Sequence, residues 1–225
     1  MAMMSDWRKE PATFKERWVV GCDLGQSQDP TAISVLHKKT LPLETWTHDA
    51  QLCVHRQDAK ETLEVRHLER LALGQSYPEQ VAHVANVLAR APLVGDATLV
   101  IDETGVGRAV GDIFETAGMK PIRISITAGS EATFAGIRRH HVAKSILIST
   151  LDAALHTGEL KFAAKLAEAE AMKEELLDFR RSVSAAGRFS FEARVGKHDD
   201  LVLSVAIALW WMVRPPIPSP TFTWY

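Results

Sequence analysis

Cysteine is scarce in this sequence, and long apolar runs are missing. The only two cysteines, Cys22 and Cys53, are too few and too far apart for a disulfide framework, so we expect a reducing compartment. The longest apolar run, 201–213, is shorter than the roughly 20 residues that a membrane span needs. The first ten residues contain no apolar segment typical of a signal peptide. These absences predict an intracellular protein that does not enter a membrane.

The sequence also shows no excess of one charge. Its 26 basic and 28 acidic residues give a net charge of −2. Proteins that bind nucleic acid usually have a basic excess, but a local basic face is sufficient, and acidic residues that hold metal ions lower the total. A length of 225 residues with 46% hydrophobic residues suits one globular domain. We predict a polar arm at 1–16, a domain at 17–213 and a Pro-rich tail at 214–225.

The hydrophobic pattern predicts strands first, then alternating helices and strands, and finally helices. Strands are predicted at 17–25, 31–39, 62–71, 97–102 and 119–127. Helices are predicted at 76–91, 105–118, 137–158 and 164–183, with a last helix that begins near residue 200. A loop is predicted at 128–136 and a late strand or hairpin at 187–196, whereas 41–61 is ambiguous. Antiparallel strands followed by crossovers indicate an α/β fold with a mixed sheet and helices on both faces.

Acidic residues stand at the ends of three of these elements. Asp23 ends the first strand, Asp102 ends "LVID", and Asp199 and Asp200 precede the last helix. Open α/β sheets bind ligands at the carboxyl ends of their strands, which favours a shared site. Each acid has a structural alternative, because Asp also begins turns and caps helices. Since successive helical residues diverge by about 100°, we expect one of the paired acids to cap the helix while the other projects.

Three carboxylates that converge without basic partners repel one another, and divalent cations would remove this conflict. Oxygen ligands without Cys or His at metal-binding spacing favour Mg²⁺ or Mn²⁺ over zinc. Two such ions about 4 Å apart are suited to the hydrolysis of a phosphodiester.

Basic residues near the acids are candidates for contacts with DNA phosphates. The alternative for each of them is a solvated helix face. The candidates are Arg108, Arg138, Arg139, Lys144 and Lys197.

Four segments together resemble the nuclease domain of the phage terminase large subunit, which has a ribonuclease H-like fold. They are "VGCDLGQSQDPTAISVL", "LVIDETGVGRAVGDIF", "GELKFAAKLAEAEAMKEELLDFRRSV" and "HDDLVLSVAIALWW", and they occur in the family's order over 17–213. The resemblance implies that Asp23, Asp102 and Asp200 bind two Mg²⁺ or Mn²⁺ ions. Asp199 is a fourth candidate ligand or the cap. The implied reaction is endonucleolytic cutting of double-stranded DNA during genome packaging.

The resemblance also implies partners and a location. The partners are double-stranded DNA, a packaging ATPase, a small terminase subunit and a portal, in the cytoplasm of a host cell. The chain has no G-x-x-x-x-G-K-[ST] sequence, so either the ATPase lies outside it or the protein is a stand-alone nuclease. Three alternatives stay open: a nuclease resembling Holliday-junction resolvases, an actin-like or sugar-kinase ATPase that shares the strand–Asp–Leu–Gly pattern, and a non-catalytic packaging module.

Overall fold

The computed structural model describes residues 7–25, 29–105, 107–178, 180–183, 189–192 and 198–214, which form an α/β fold. The strands are β1 (Arg8–Glu10), β2 (Lys15–Asp23), β3 (Ala32–Asp49), β4 (Val54–Arg70), β5 (Ala97–Asp102), β6 (Ile122–Thr127), β7 (Ala132–Gly136), β8 (Arg139–Ala143), β9 (Leu160–Phe162), β10 (Arg180–Val183) and β11 (Phe189–Glu192). The helices are α1 (Tyr77–Leu88), α2 (Gly107–Thr116), α3 (Lys144–His156), α4 (Ala169–Asp178) and α5 (Asp200–Val213).

Nine of the strands form one mixed sheet in the order β1-β4-β3-β2-β5-β6-β8-β7, with β9 also paired to β4. Strands β2, β3 and β4 are an antiparallel meander, whereas β2, β5, β6 and β8 run parallel. Strands β10 and β11 pair separately as an antiparallel ribbon. This topology confirms the predicted fold class, including the parallel strands that follow an antiparallel meander.

Helices cover both faces of the large sheet. Helices α1 and α2 pack on one face through side chains such as Val84 and Phe114. Helices α3, α4 and α5 pack on the other through side chains such as Leu151, Met172 and Val205. Helix α5 is buried along almost its whole length, which explains its apolar sequence. Of the helices in the described part of the chain, none is both long and apolar enough to cross a membrane.

The close contact between α5 and the sheet depends on Gly21, near the carboxyl end of β2. A Cβ atom at this position would lie 2.1 Å from the backbone oxygen of Ser204 and 2.9 Å from the Cβ of Ala208. Because only glycine leaves this space free, the helix can lie directly on the strand. Gly21 therefore determines how close the beginning of α5 comes to the end of β2.

Two predicted elements in the second half of the chain are wrong. The predicted loop 128–136 contains strand β7, and the predicted helix 137–158 is divided into β8 and α3. In β8 the side chains of His140 and Val142 are buried while that of His141 is exposed. This alternation is too short to be distinguished from helical spacing in the sequence.

The remaining differences concern the limits of elements. Residues 41–61, which were ambiguous, form the outer ends of β3 and β4 and the turn between them. The predicted arm 1–16 contributes β1 and the first residues of β2. The predicted helix 164–183 ends at residue 178, and 180–183 form β10 instead of its last turn. Strand β11, which pairs with β10, lies within the segment 187–196 that was predicted as a late strand or hairpin. Residues 215–225 of the predicted tail lie outside the described residues.

Candidate metal centre

Strands β2 and β5 place Asp23 and Asp102 next to each other. These neighbouring parallel strands pair Cys22 with Ile101, so the following residues, Asp23 and Asp102, continue the same register. Both Cys22 and Ile101 belong to the core beneath α1 and α2. Because side chains alternate along a strand, the two carboxylates face the opposite side of the sheet, where α5 lies.

The first turn of α5 brings two more carboxylates to this edge. The Asp200 side chain is buried, with 3% of the residue exposed, and Asp199 occupies the position before the helix. The prediction that one acid caps the helix is confirmed for the position of Asp199 but is wrong for its side chain. Asp199 stands at the N-cap position but accepts no backbone hydrogen bond there, and its Oδ2 instead lies 2.7 Å from Nζ of Lys144.

These elements surround a pocket of about 250 Å³. Its wall is formed by the end of β2, the loop after it, the turn after β5 and the start of α5. The lining residues are Asp23, Leu24, Gly25, Asp29, Pro30, Tyr77, Thr104, Gly105, Asp199 and Asp200. Asp102 lies directly beneath the turn, where its Oδ1 accepts a hydrogen bond of 2.7 Å from the backbone N–H of Thr104.

Burial, and at Asp23 also the charges of neighbouring carboxylates, perturbs the ionisation of these acids. Desolvation, followed by the negative charges of Asp102, Asp200 and Asp199, raises the pKa of Asp23 well above its ordinary value. Burial raises the pKa of Asp102 to about 6, although hydrogen bonds from Thr104 oppose this shift. Burial also raises the pKa of Asp200, against the opposing charge of Arg70. A positive ion in this pocket would therefore be stabilised by all of these groups.

Two cations only partly compensate this charge. Arg70, the last residue of β4, donates a hydrogen bond of 3.0 Å from Nε to Oδ2 of Asp200 and also contacts Glu175 of α4. Lys144, the first residue of α3, pairs with Asp199 and lowers the pKa of Asp23 through its charge. The expectation that the acids meet without basic partners is thus corrected. Counting Glu175 and Asp29, which also lines the pocket, six carboxylates still face these two cations among the described residues.

A histidine completes one side of the pocket. Nδ1 of His198 lies 3.7 Å from Oδ1 of Asp200 and 3.5 Å from Oδ1 of Asp29. One ligand atom of each of these residues lies within 4.8 Å of the others, so the three could hold an ion together. The sequence pattern did not single out Asp29, which lies in the loop after β2.

The predicted DNA-contacting residues do not all lie at this pocket. Lys144 does, whereas Arg138 lies 3.4 Å from Glu115 and Arg139 lies 4.0 Å from the buried Glu103. Arg139 lies on the face of the sheet opposite to α5, because the next residue of β8, His140, contacts Trp210 of that helix. The side chain of Arg108, and the whole of Lys197, fall outside the described residues.

Sequence reasoning missed the half-buried Arg70 and the buried Glu175. Glu175 is 6% exposed although it lies in a helix rich in charged residues. A helical period gives no sign that one of several glutamates is buried, because the partner that compensates it comes from β4. Only the three-dimensional arrangement identifies this pair.

The donor set fits a hard divalent cation. Asp23, Asp102 and Asp200 offer only carboxylate oxygen, which Mg²⁺ and Mn²⁺ prefer. At Asp23, desolvation and three neighbouring carboxylates raise the pKa, and the charge of Lys144 does not outweigh them. A divalent cation would supply the missing compensation, so the residues present agree with the predicted Mg²⁺ or Mn²⁺ site.

Comparison with known proteins tests the fold and the predicted resemblance to terminase nuclease domains. No family model matches the chain. The large terminase subunit of Thermus virus P23-45 is 25% identical over 191 residues, which are 85% of this chain and 31% of that protein. The chain therefore spans about a third of the length of this curated relative.

Solved structures give the same result. The large terminase nuclease of thermophilic phage G20c, determined with bound magnesium, superposes with a TM-score of 0.58 at 23% identity and covers 89% of this chain and 84% of that one. The nuclease domain of the Thermus phage P74-26 large terminase gives a TM-score of 0.55 at 21% identity, over 86% and 78% of the two chains. These similarities confirm the ribonuclease H-like fold and the predicted resemblance to terminase nuclease domains.

Proposed function

We propose that this chain is a metal-dependent endonuclease that hydrolyses phosphodiester bonds of double-stranded DNA, and that it is the nuclease part of a phage packaging terminase. The observation that carries the proposal is a pocket lined by Asp23, Asp199 and Asp200, with Asp102 beside it at the end of the neighbouring strand. The large terminase subunits that resemble the chain, and the magnesium-bound nuclease among its structural relatives, support this choice of activity and cofactor.

Each part of the pocket has a distinct task in this proposal. Asp23 and Asp102, fixed at the ends of adjacent strands, hold the cations together with Asp200. Two Mg²⁺ or Mn²⁺ ions held there would supply the activation of water and the stabilisation of the leaving oxygen of the phosphodiester. Lys144 holds Asp199, and its charge limits the repulsion at Asp23.

The proposed substrate follows from the position and openness of the pocket. The pocket lies at the carboxyl ends of β2 and β5, where a DNA backbone can approach the carboxylates once bound cations have reversed the local negative charge. Lys144, Arg108 and Lys197 remain the proposed phosphate contacts, whereas Arg138 and Arg139 pair with Glu115 and Glu103 away from the pocket. No feature of the sequence resembles an element that reads bases, so we expect cutting with little sequence preference. A packaging ATPase, a small terminase subunit and a portal are the proposed partners.

Incubation of the chain with supercoiled plasmid tests the activity. We expect nicked and linear DNA with Mg²⁺ or Mn²⁺, no products with EDTA, and no products from Asp23→Asn with either metal. Cutting that persists in EDTA or in Asp23→Asn would contradict the proposal. Hydrolysis of ATP without DNA cutting would instead favour the kinase-like alternative.

A further inference from the structure

A pair formed by the buried Glu175 and the half-buried Arg70 lies behind the metal centre and contacts only one of its acids directly. Glu175 of α4 is 6% exposed, and the side chain of Arg70 is 24% exposed at the end of β4. Burying a carboxylate away from solvent is costly unless strong donors compensate it. The donors that satisfy Glu175 therefore indicate why it is buried.

The first donor is the backbone of α5. The Val202 N–H, in the first turn of this helix, donates a hydrogen bond of 2.9 Å to Oε2 of Glu175. N–H groups in a first helical turn have no partner within the helix and are usually satisfied by the N-cap side chain. Glu175 takes over this task from another helix, which leaves the carboxylate of Asp199 free to pair with Lys144.

The second donor is Arg70, which also contacts Asp200. Its guanidinium contacts Oε1 of Glu175 through Nη2 and donates from Nε to Oδ2 of Asp200 at 3.0 Å. Because the guanidinium is planar and rigid, binding one carboxylate fixes the direction in which it presents the other N–H group. Glu175 thereby determines where Arg70 holds Asp200.

This arrangement makes the two oxygens of Asp200 unequal. Oδ2 is occupied by Arg70, whereas Oδ1 is the oxygen near His198 at the pocket. Without Glu175, the charge of Arg70 would be available to Asp200 alone and would compete more strongly with a metal ion. Sharing the guanidinium between two carboxylates keeps Asp200 oriented without neutralising it.

We propose that Glu175 and Arg70 are a positioning pair that holds Asp200 with Oδ1 directed at the pocket and so sets the affinity of the site for divalent metal. The inference rests on the proposed function, because it assumes that the pocket binds Mg²⁺ or Mn²⁺. Groups that orient metal ligands from behind typically contribute 10- to 100-fold to metal affinity.

Titration calorimetry with Mn²⁺ on the metal-free 225-residue chain tests this role without relying on cutting. Glu175→Gln keeps an acceptor for the Val202 N–H but loses the negative charge that binds the Arg70 guanidinium together with Asp200. We therefore expect Mn²⁺ affinity to fall by about 10-fold or more. Glu174→Gln is the matched control, since Glu174 is exposed on the same helix and loses the same charge. We expect its affinity to stay within about twofold of the parent chain.

Arg70→Lys is the second variant and keeps the total charge. A lysine cannot span both carboxylates with a fixed fork, so we expect a similar loss of affinity and recovery of cutting at high Mn²⁺. Thermal unfolding in EDTA reports the folded state of each variant. Mn²⁺ affinity within about twofold of the parent in Glu175→Gln and Arg70→Lys, with or without a lower melting temperature, would overturn the inference and leave the pair a structural role. Absence of Mn²⁺ binding by the parent chain would overturn the proposed function and this inference together.

Discussion

Strands β2 and β5 have a pocket at each end, and the two pockets are similar in size but differ in how far their acidic side chains are buried and paired. The pocket at their amino ends has a volume of about 220 Å³, and the one at their carboxyl ends has about 250 Å³. The first is lined by Glu16, Arg17, Trp18, Asp96 and Thr98. Both pockets contain acidic side chains, so neither volume nor the presence of carboxylates distinguishes them.

The difference lies in burial and compensation. At the amino ends, Glu16 is exposed and pairs with His37 at 2.6 Å, and Arg17 donates to the backbone oxygen of Met212. At the carboxyl ends, Asp102 and Asp200 are buried beside further acids that outnumber their cations. The comparison teaches that concentrated negative charge, held out of water by the fold, marks the candidate site.

The largest expected effect comes from removing one buried charge. Asp102→Asn keeps an oxygen for the Thr104 N–H but removes a proposed metal ligand. Groups that only orient a metal ligand contribute 10- to 100-fold to metal affinity or activity. Since Asp102 is itself a proposed ligand, we expect plasmid cutting to fall by more than about 100-fold. The melting temperature in EDTA should stay level or rise, because repulsion within the acid cluster is relieved. A collapsed melting temperature would show that Asp102 is structural.

A series of unfolding measurements at different pH in EDTA shows how much the ionised side chain of Asp102 lowers the free energy of unfolding. The folded chain retains the Asp102 proton up to about pH 6, because burial raises its pKa, whereas the ordinary carboxyl releases it near 3.8. Ionisation therefore disfavours the folded state, and the Asp102 contribution to the free energy of unfolding should decrease from about pH 4 to about pH 6, by up to about 3 kcal/mol. The difference from the Asp102→Asn curve reports this contribution together with the effect of the Asp102 charge on Asp23. A difference that does not change with pH would contradict it.

Gly21, between the two pockets, tests how the sheet positions α5. Gly21→Ala places a methyl group against the backbone of Ser204, so we expect a loss of about 1–3 kcal/mol in the free energy of unfolding by urea. Gly129→Ala is the matched control, because its nearest neighbour would be 3.8 Å away. Equal stability of the two variants would show that α5 does not need this close approach.

The smallest effect is expected at the amino ends of the same strands. Asp96 is exposed, so Asp96→Asn should change the free energy of unfolding by less than about 0.5 kcal/mol and leave cutting unchanged. The measurement is the same plasmid assay and urea titration used for the other variants. A loss of cutting comparable to that of Asp102→Asn would remove the distinction between the two ends.

The parts of the fold that the sequence predicts well are those with strong local patterns. Strands β2 and β5 and helix α5 are apolar runs bordered by acids, and this local pattern is sufficient to place Asp23, Asp102 and Asp200 at the ends of elements. Strand β8 was missed because its five residues resemble the beginning of the helix that follows it.

The parts of the site that the sequence does not predict depend on contacts between distant segments. The Arg70–Glu175 contact joins β4 to α4, and Glu175 replaces the local cap expected from Asp199. Neither the burial of one glutamate nor the pairing of Lys144 with Asp199 leaves a local pattern. The sequence therefore indicated the positions of the acids, whereas tertiary packing determines which cations and N–H donors pair with them.

Anomalous diffraction from crystals of this chain grown with Mn²⁺ tests the central claim most directly. We predict an anomalous peak in the carboxyl-end pocket, coordinated by oxygens of Asp23 and Asp102 from the sheet and Oδ1 of Asp200 from α5. A pocket without a peak at saturating Mn²⁺, or an ion bound by neither strand carboxylate, would contradict the account.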